Sequence, residues 1–168
     1  ILEFLKSQHL SFQLIQFFVT SNPSSAYVRR VAQAFSTGSS ADGVGGVIGS
    51  GRRGDLRATI AAVLLDPEAR TDVAADDSRY GRLREPAQII AGAIRALEGF
   101  TDGDAVAPEW AWAGLMGQPA FTAPSVFNFY PPDFPVVGTG LVAPQMGSES
   151  VTTALARINY GNALLYWW

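Results

Sequence analysis

Apolar residues recur along this chain three and four apart, the spacing of a helix face, and almost nowhere in the alternation of a strand. Ile1, Leu2 and Leu5, with Phe4, form the apolar side of an entering helix, which the polar run Ser7–His9 is expected to break. Ser11 then caps a second helix through Val19. There Phe12, Leu14, Ile15, Phe17, Phe18 and Val19 leave hardly a polar face, a pattern that predicts burial all round. Asn22 and Pro23 suit an N-cap and a first helical position. They launch a helix to about Phe35 that turns Val28, Val31 and Phe35 inward and Arg29, Arg30 and Gln33 to water. Leu56, Ile60, Val63 and Leu64 make the clearest stripe, capped by Asp55 and ended by Asp66 and Pro67. Residues 68–84 read as polar and irregular. Glu85 and Pro86 open the next helix, with Ile89, Ile90, Ala93, Ile94 and Leu97 as its buried side and its end near Gly99. A short helix is expected over Trp110–Met116. Ser148 is expected to cap the last, with Glu149 at its positive end and Val151, Leu155, Ile158 and Leu165 facing inward. Gly161 and Asn162 interrupt that stripe and would let another backbone approach.

Two stretches break the helical rhythm. Residues 36–54 are rich in Gly and Ser with little to bury, which predicts a flexible loop. Residues 114–134, GLMGQPAFTAPSVFNFYPPDF, carry Pro119, Pro124, Pro131 and Pro132, five aromatic rings and almost no charge. Each proline removes a backbone donor and drives the residue before it out of the α region, so this segment is expected to run extended. It reads as a strap pegged by Phe121, Phe127, Phe129, Tyr130 and Phe134, each fully buried ring stabilising by roughly 1.5–3 kcal/mol. The fold class that follows is mostly α: an irregular bundle of about six helices with a long proline- and aromatic-rich segment packed across it, one helical body over residues 1–168.

Composition narrows the function classes. A chain of 168 residues with 48% hydrophobic and 16% charged residues can bury a sizeable core. A net charge of −3 with scattered Lys and Arg lacks the footprint of a nucleic-acid binder. The absence of cysteine excludes disulfides, thiolate metal sites and a cysteine nucleophile. No apolar run approaches the roughly 20 residues of a membrane-spanning helix. The chain opens on ILEFLK without methionine or a visible targeting segment and ends on LLYWW. Both ends read as those of a piece of a longer protein, with any signal peptide lying upstream.

Candidate chemistry is sparse. Gly49-Ser-Gly-Arg-Arg-Gly54 matches the phosphate-loop spacing before a helix, yet Val44–Ile48 is a poor strand to precede it. An ordinary loop and helix start is the better reading. His9, the single histidine, lacks nearby ligands and would need distant partners to act as a base. Asp102, Asp104 and Glu109 lack the spacing of a calcium loop, and Asp76 and Asp77 likewise suit an acidic turn. Ser125 lies outside any nucleophile-elbow pattern. Arg84 beside Glu85 is placed to form a partly buried ion pair that fixes how the strap docks. Trp110 and Trp112, with Tyr160, Tyr166, Trp167 and Trp168, could line a groove for a carbohydrate or peptide, although rings at these spacings more often belong to a core. No cofactor or metal is called for. The candidate binding residues are therefore Trp110, Trp112, Arg84, Glu85 and His9.

Several phrases occur together: TSNPSSAYVRRVAQAF at 20–35, RGDLRATIAAVLLDPEAR at 53–70, LREP at 83–86, GQPAFTAPSVFNFYPPDF at 117–134 and LVAP at 141–144. In that order they resemble the C-terminal part of a bacterial family catalogued as domain of unknown function 1800. The resemblance covers nearly the whole chain and implies a helical, exported bacterial protein, secreted or periplasmic, whose longer relatives carry an N-terminal helical half. It also implies two partners, the rest of its own chain and a neighbour-encoded, sulfatase-like protein of family 1501. It carries over no catalytic residue. The expected function is a structural or binding portion for a partner protein or an extracellular polymer. The alternative is part of a hydrolase-like enzyme whose active site lies mainly in the N-terminal half, with His9, Arg84 and Glu85 contributing.

Overall fold

Ser7 and Ser11 do not interrupt the first helix. In the computed structural model, which describes residues 2–70, 77, 79–99, 106–126 and 128–166 (side chains excepted at 2–4 and 106–110), α1 runs unbroken over Leu2–Phe18. Neither Gly nor Pro lies in the run, and serine costs a helix less than a kcal/mol. Ser11 bonds its hydroxyl back to the Ser7 carbonyl at 2.7 Å, so it serves the helix interior and caps nothing. Both serines are fully buried, while Phe17 and Phe18, expected inside, are partly exposed and meet edge to face at 5.0 Å.

The chain divides into two compact units, Ile1–Arg82 and Leu83–Trp168. In the first, α1 is followed by α2 (Ser25–Thr37), β1 (Ser40–Ala41), β2 (Val47–Ile48), α3 (Leu56–Leu65) and the single turn α4 (Pro67–Arg70). Ser24 rather than Asn22 caps α2: its hydroxyl accepts from Tyr27 N at 3.1 Å, and Glu68 holds Ser24 from below by its N–H at 2.9 Å and its hydroxyl at 2.6 Å. Ile15, Tyr27, Val31 and Val63 form the core where α1, α2 and α3 meet. The Tyr27 hydroxyl donates to the Val63 carbonyl inside it. Arg30 grips the buried Asp66 carboxylate with two bonds of 2.6 and 2.8 Å, and Asp66 also accepts from Glu68 N at 2.9 Å. The residue that ends α3 thus begins α4.

Residues 36–54 hold more order than their composition suggests. β1 and β2 pair antiparallel, Ser40 opposite Ile48 and Ala41 opposite Val47. Gly38, at φ 69°, closes α2 against Arg52 so tightly that a Cβ there would lie 2.0 Å from the Arg52 carbonyl oxygen. Only glycine fits this junction.

The second unit contains α5 (Pro86–Ala96), α6 (Val106–Leu115), a 3-10 turn (Pro144–Ser148) and α7 (Val151–Tyr166). Among the described residues the architecture is seven helices with one small ladder, a mostly α fold. Ile90, Ala113, Met116, Ala156 and Tyr160 make this unit's core, with Ile89, Ala93, Ile94, Trp112 and Leu164 packed around it. Leu97, assigned to the buried side from the sequence, is exposed. The strap between α6 and the 3-10 turn is a run of short turns, closed at its far end by bonds from Val136 N to Leu141 O at 2.8 Å and from Ala143 N to Phe134 O at 2.9 Å.

Candidate functional site

The strap docks through Tyr130 and Phe134. Both lie over Gly147 of the 3-10 turn, where a Cβ would come within 3.1 Å of Tyr130 Cβ and 3.2 Å of Phe134 Cδ2 and Pro131 Cδ. The Tyr130 hydroxyl donates to the Glu85 carboxylate at the start of α5, whose N–H in turn meets Gln88 Oε1 at 3.4 Å. Phe121, expected as a peg, is instead 98% exposed and sits at φ 60° in the turn after Pro119. Phe127 lies outside the described residues. The strap is fixed at its base and presents its tip outward.

Arg84 and Glu85 are not an ion pair among the described residues. Arg84 exposes its side chain and offers its carbonyl to Arg157 Nη1 at 2.8 Å. A largely buried ion pair of this unit joins Arg157 to Glu149, with Nε to Oε1 at 2.9 Å, and Thr153 Oγ1 meets the other carboxylate oxygen at 3.2 Å. This pair was not legible, because eight residues of helix would separate two side chains by roughly 12 Å. Glu149 reaches Arg157 because it lies before the helix begins. Ser150, not Ser148, caps α7: Ser150 Oγ accepts from Thr153 N at 3.2 Å, and Thr153 Oγ1 accepts from Ser150 N at 2.7 Å.

The apolar residues of α7 fall on two opposite sides. At 100° per residue, Ala156, Tyr160 and Leu164 form one stripe, and Val151, Leu155, Ile158, Leu165 and Tyr166 form the other. The core takes the first stripe. The second, expected to face inward, is exposed along its length, with Val151 at 79% and Leu165 at 77%. The small, notched surface at Ala156 lets α7 pack closely on that side, and Tyr160 fills the space edge to face with Trp112 at 5.6 Å. Leu115, Val126, Val137 and Met146 add further exposed apolar area to the same unit. Isolated exposed apolar side chains are ordinary, whereas a continuous stripe along one helix is the kind of surface that makes a candidate site.

The other sequence candidates fall in different elements. Trp112 is half-buried and packs on the core with Tyr160. Trp110 is on α6, but its side chain lies outside the described residues, as do Asp76, Asp102, Asp104, Trp167 and Trp168 in full and the side chain of Glu109. His9 is exposed on α1 in the first unit. Ser125 closes a turn onto the Asn128 carbonyl at 3.3 Å, and Asp77 is bonded by Arg79. Among the described residues no three His, Asp or Glu side chains come together as a metal site, and no helix is long and apolar enough to cross a membrane. The glycine loop is closed to phosphate by its own neighbour: Asp55 accepts from Ser50 N at 2.6 Å and Ala58 N at 3.0 Å, occupying the end of α3. The Ser50 hydroxyl, then the Ala58 amide, holds that carboxyl down at about 2.

A family model described as "Protein of unknown function (DUF1800)" matches residues 6–159. No curated protein and no solved structure matches the chain.

Proposed function

Since the chain belongs to the DUF1800 family, and that membership names no activity, we propose from the surface itself that it is a docking portion for a protein partner. The single observation behind this reading is the second apolar stripe of α7, Val151 to Tyr166, exposed opposite the stripe that builds the core. The partner we assign to it is the N-terminal helical half that the family resemblance implies. A helix face of this kind suits another helix, with Leu155 and Ile158 as central anchors. On the resemblance alone we extend the reading to an exported protein, for which cell fractionation is the check.

The test expresses the two halves as separate polypeptides and measures their association by titration. Wild-type chain is expected to form a defined complex. Leu155→Ser with Ile158→Ser is expected to weaken it by about a hundredfold, since truncating central apolar anchors costs about 1–3 kcal/mol each. Association unchanged by the double substitution would contradict the proposal.

A further inference from the structure

The hairpin of the first unit offers a different surface. Val44 and Val47 are 90% and 75% exposed, among Gly43, Gly45 and Gly46, which bring no side chain to cover them. The turn that displays them is nonetheless held in one shape. Asp42 Oδ1 accepts from Val44 N at 2.9 Å and Gly46 N at 2.7 Å, and Asp42 N donates to Gly46 O at 3.1 Å. A loop already ordered loses little freedom on binding.

Five charged residues lie between residues 38 and 57, three of them arginines. Asp42 and Asp55, the two carboxylates between residues 38 and 57, are turned onto backbone amides of their own loops. Arg52, Arg53 and Arg57 are exposed at the base of the hairpin and the first turn of α3. The base itself is fixed, with Gly51 N bonded to Gly38 O at 3.0 Å, Gly54 N to Phe35 O at 2.8 Å, and the Arg53 guanidinium 5.6 Å from the centre of the Phe35 ring. Leu56, beside Arg57, is exposed as well.

From the exposed valines of the hairpin and the exposed arginines at its base we propose that the hairpin docks on an anionic lipid surface. The arginines meet headgroup phosphates near such a surface, while the valines enter the interfacial layer. A soluble polyanion would use the arginines and leave the valines idle, so the exposed valines favour a bilayer. Two small apolar side chains make the attachment weak and reversible.

The experiment is sedimentation of the whole chain with vesicles of phosphatidylcholine alone and of the same lipid with phosphatidylglycerol added. Binding is expected on the anionic vesicles and to fall as salt rises. Val44→Ser with Val47→Ser should lower the partition coefficient by about tenfold, and Arg52→Gln with Arg57→Gln by more than about tenfold. Thermal melts of both variants should match wild type, because none of these side chains is buried. No binding to anionic vesicles would overturn the proposal. So would binding that ignores the valine pair, or the arginine pair, and binding to dextran sulfate that matches binding to lipid would assign the arginines to a polyanion instead.

Discussion

Gly147 is small because the strap leaves no room for anything larger. A methyl there would press on Tyr130, Pro131 and Phe134 within 3.1–3.2 Å. Gly147→Ala should therefore destabilise the second unit by roughly 1–3 kcal/mol, the usual effect of overpacking, in a urea melt. Tyr27 carries a prediction in pH. Burial above all, then the Asp66 carboxylate, raises its phenol well above its ordinary value of 10.0. The folded chain thus holds this proton more tightly than the unfolded one. Below pH 10 both states are protonated and nothing changes. Above it the unfolded chain ionises first, and stability falls as pH rises. Tyr27→Phe should flatten that alkaline decline in melts taken across the range. Asp55 works at the other end. Its carboxyl, held at about 2 by Ser50 and Ala58, supports α3 above the ordinary value of 3.8, and that support is lost as pH falls towards 2. Asp55→Asn keeps one acceptor where two are used and should lose most of this acid dependence.

Among the elements, α3 and α5 were legible because their starts are written locally: Asp55 and Glu85-Pro86 stand where caps belong, and Asp66-Pro67 stops α3. In α1 a polar run resembles a break in the sequence, yet Ser7 and Ser11 are buried inside a continuous helix. The inner face of α7 departs from its sequence pattern for the opposite reason. Its larger apolar residues drew the assignment, while the core took the face containing Ala156 and Tyr160. Periodicity finds a stripe; it does not say what lies against it. The exposed stripe was thus visible in the sequence as a pattern and invisible as a surface. The Arg157–Glu149 pair had no sequence signal at all. The corrected α7 makes a paired prediction on the isolated chain. Tyr160→Ala should destabilise by about 3–5 kcal/mol as a large ring leaves the core. Leu155→Ser with Ile158→Ser should change stability by only about 0.5 kcal/mol, the range of surface substitutions.

At the scale of the whole chain, the two units differ in how completely their cores are closed. The first closes Ile15, Tyr27, Val31 and Val63 to solvent entirely, and ties its helix ends together through Asp66 and Glu68. The second leaves Val126, Val137, Val151, Ile158 and Leu165 in water around a core containing two alanines. Native-state hydrogen exchange should accordingly show stronger protection in α2 and α3 than in α7. That contrast is what an unfilled docking face predicts, and it should narrow when the face is covered.

The most direct measurement uses the absence of cysteine. Ile158→Cys places a unique thiol in the middle of the exposed α7 stripe, and Val44→Cys places another on the hairpin as a reference. Both should react with a maleimide at solvent-exposed rates in this chain alone. In complex with the N-terminal half, Cys at position 158 should be alkylated at least about tenfold more slowly, while position 44 keeps its rate, as burial of one face requires. Equal labelling at position 158 in both states would contradict the assignment of α7 as the docking face.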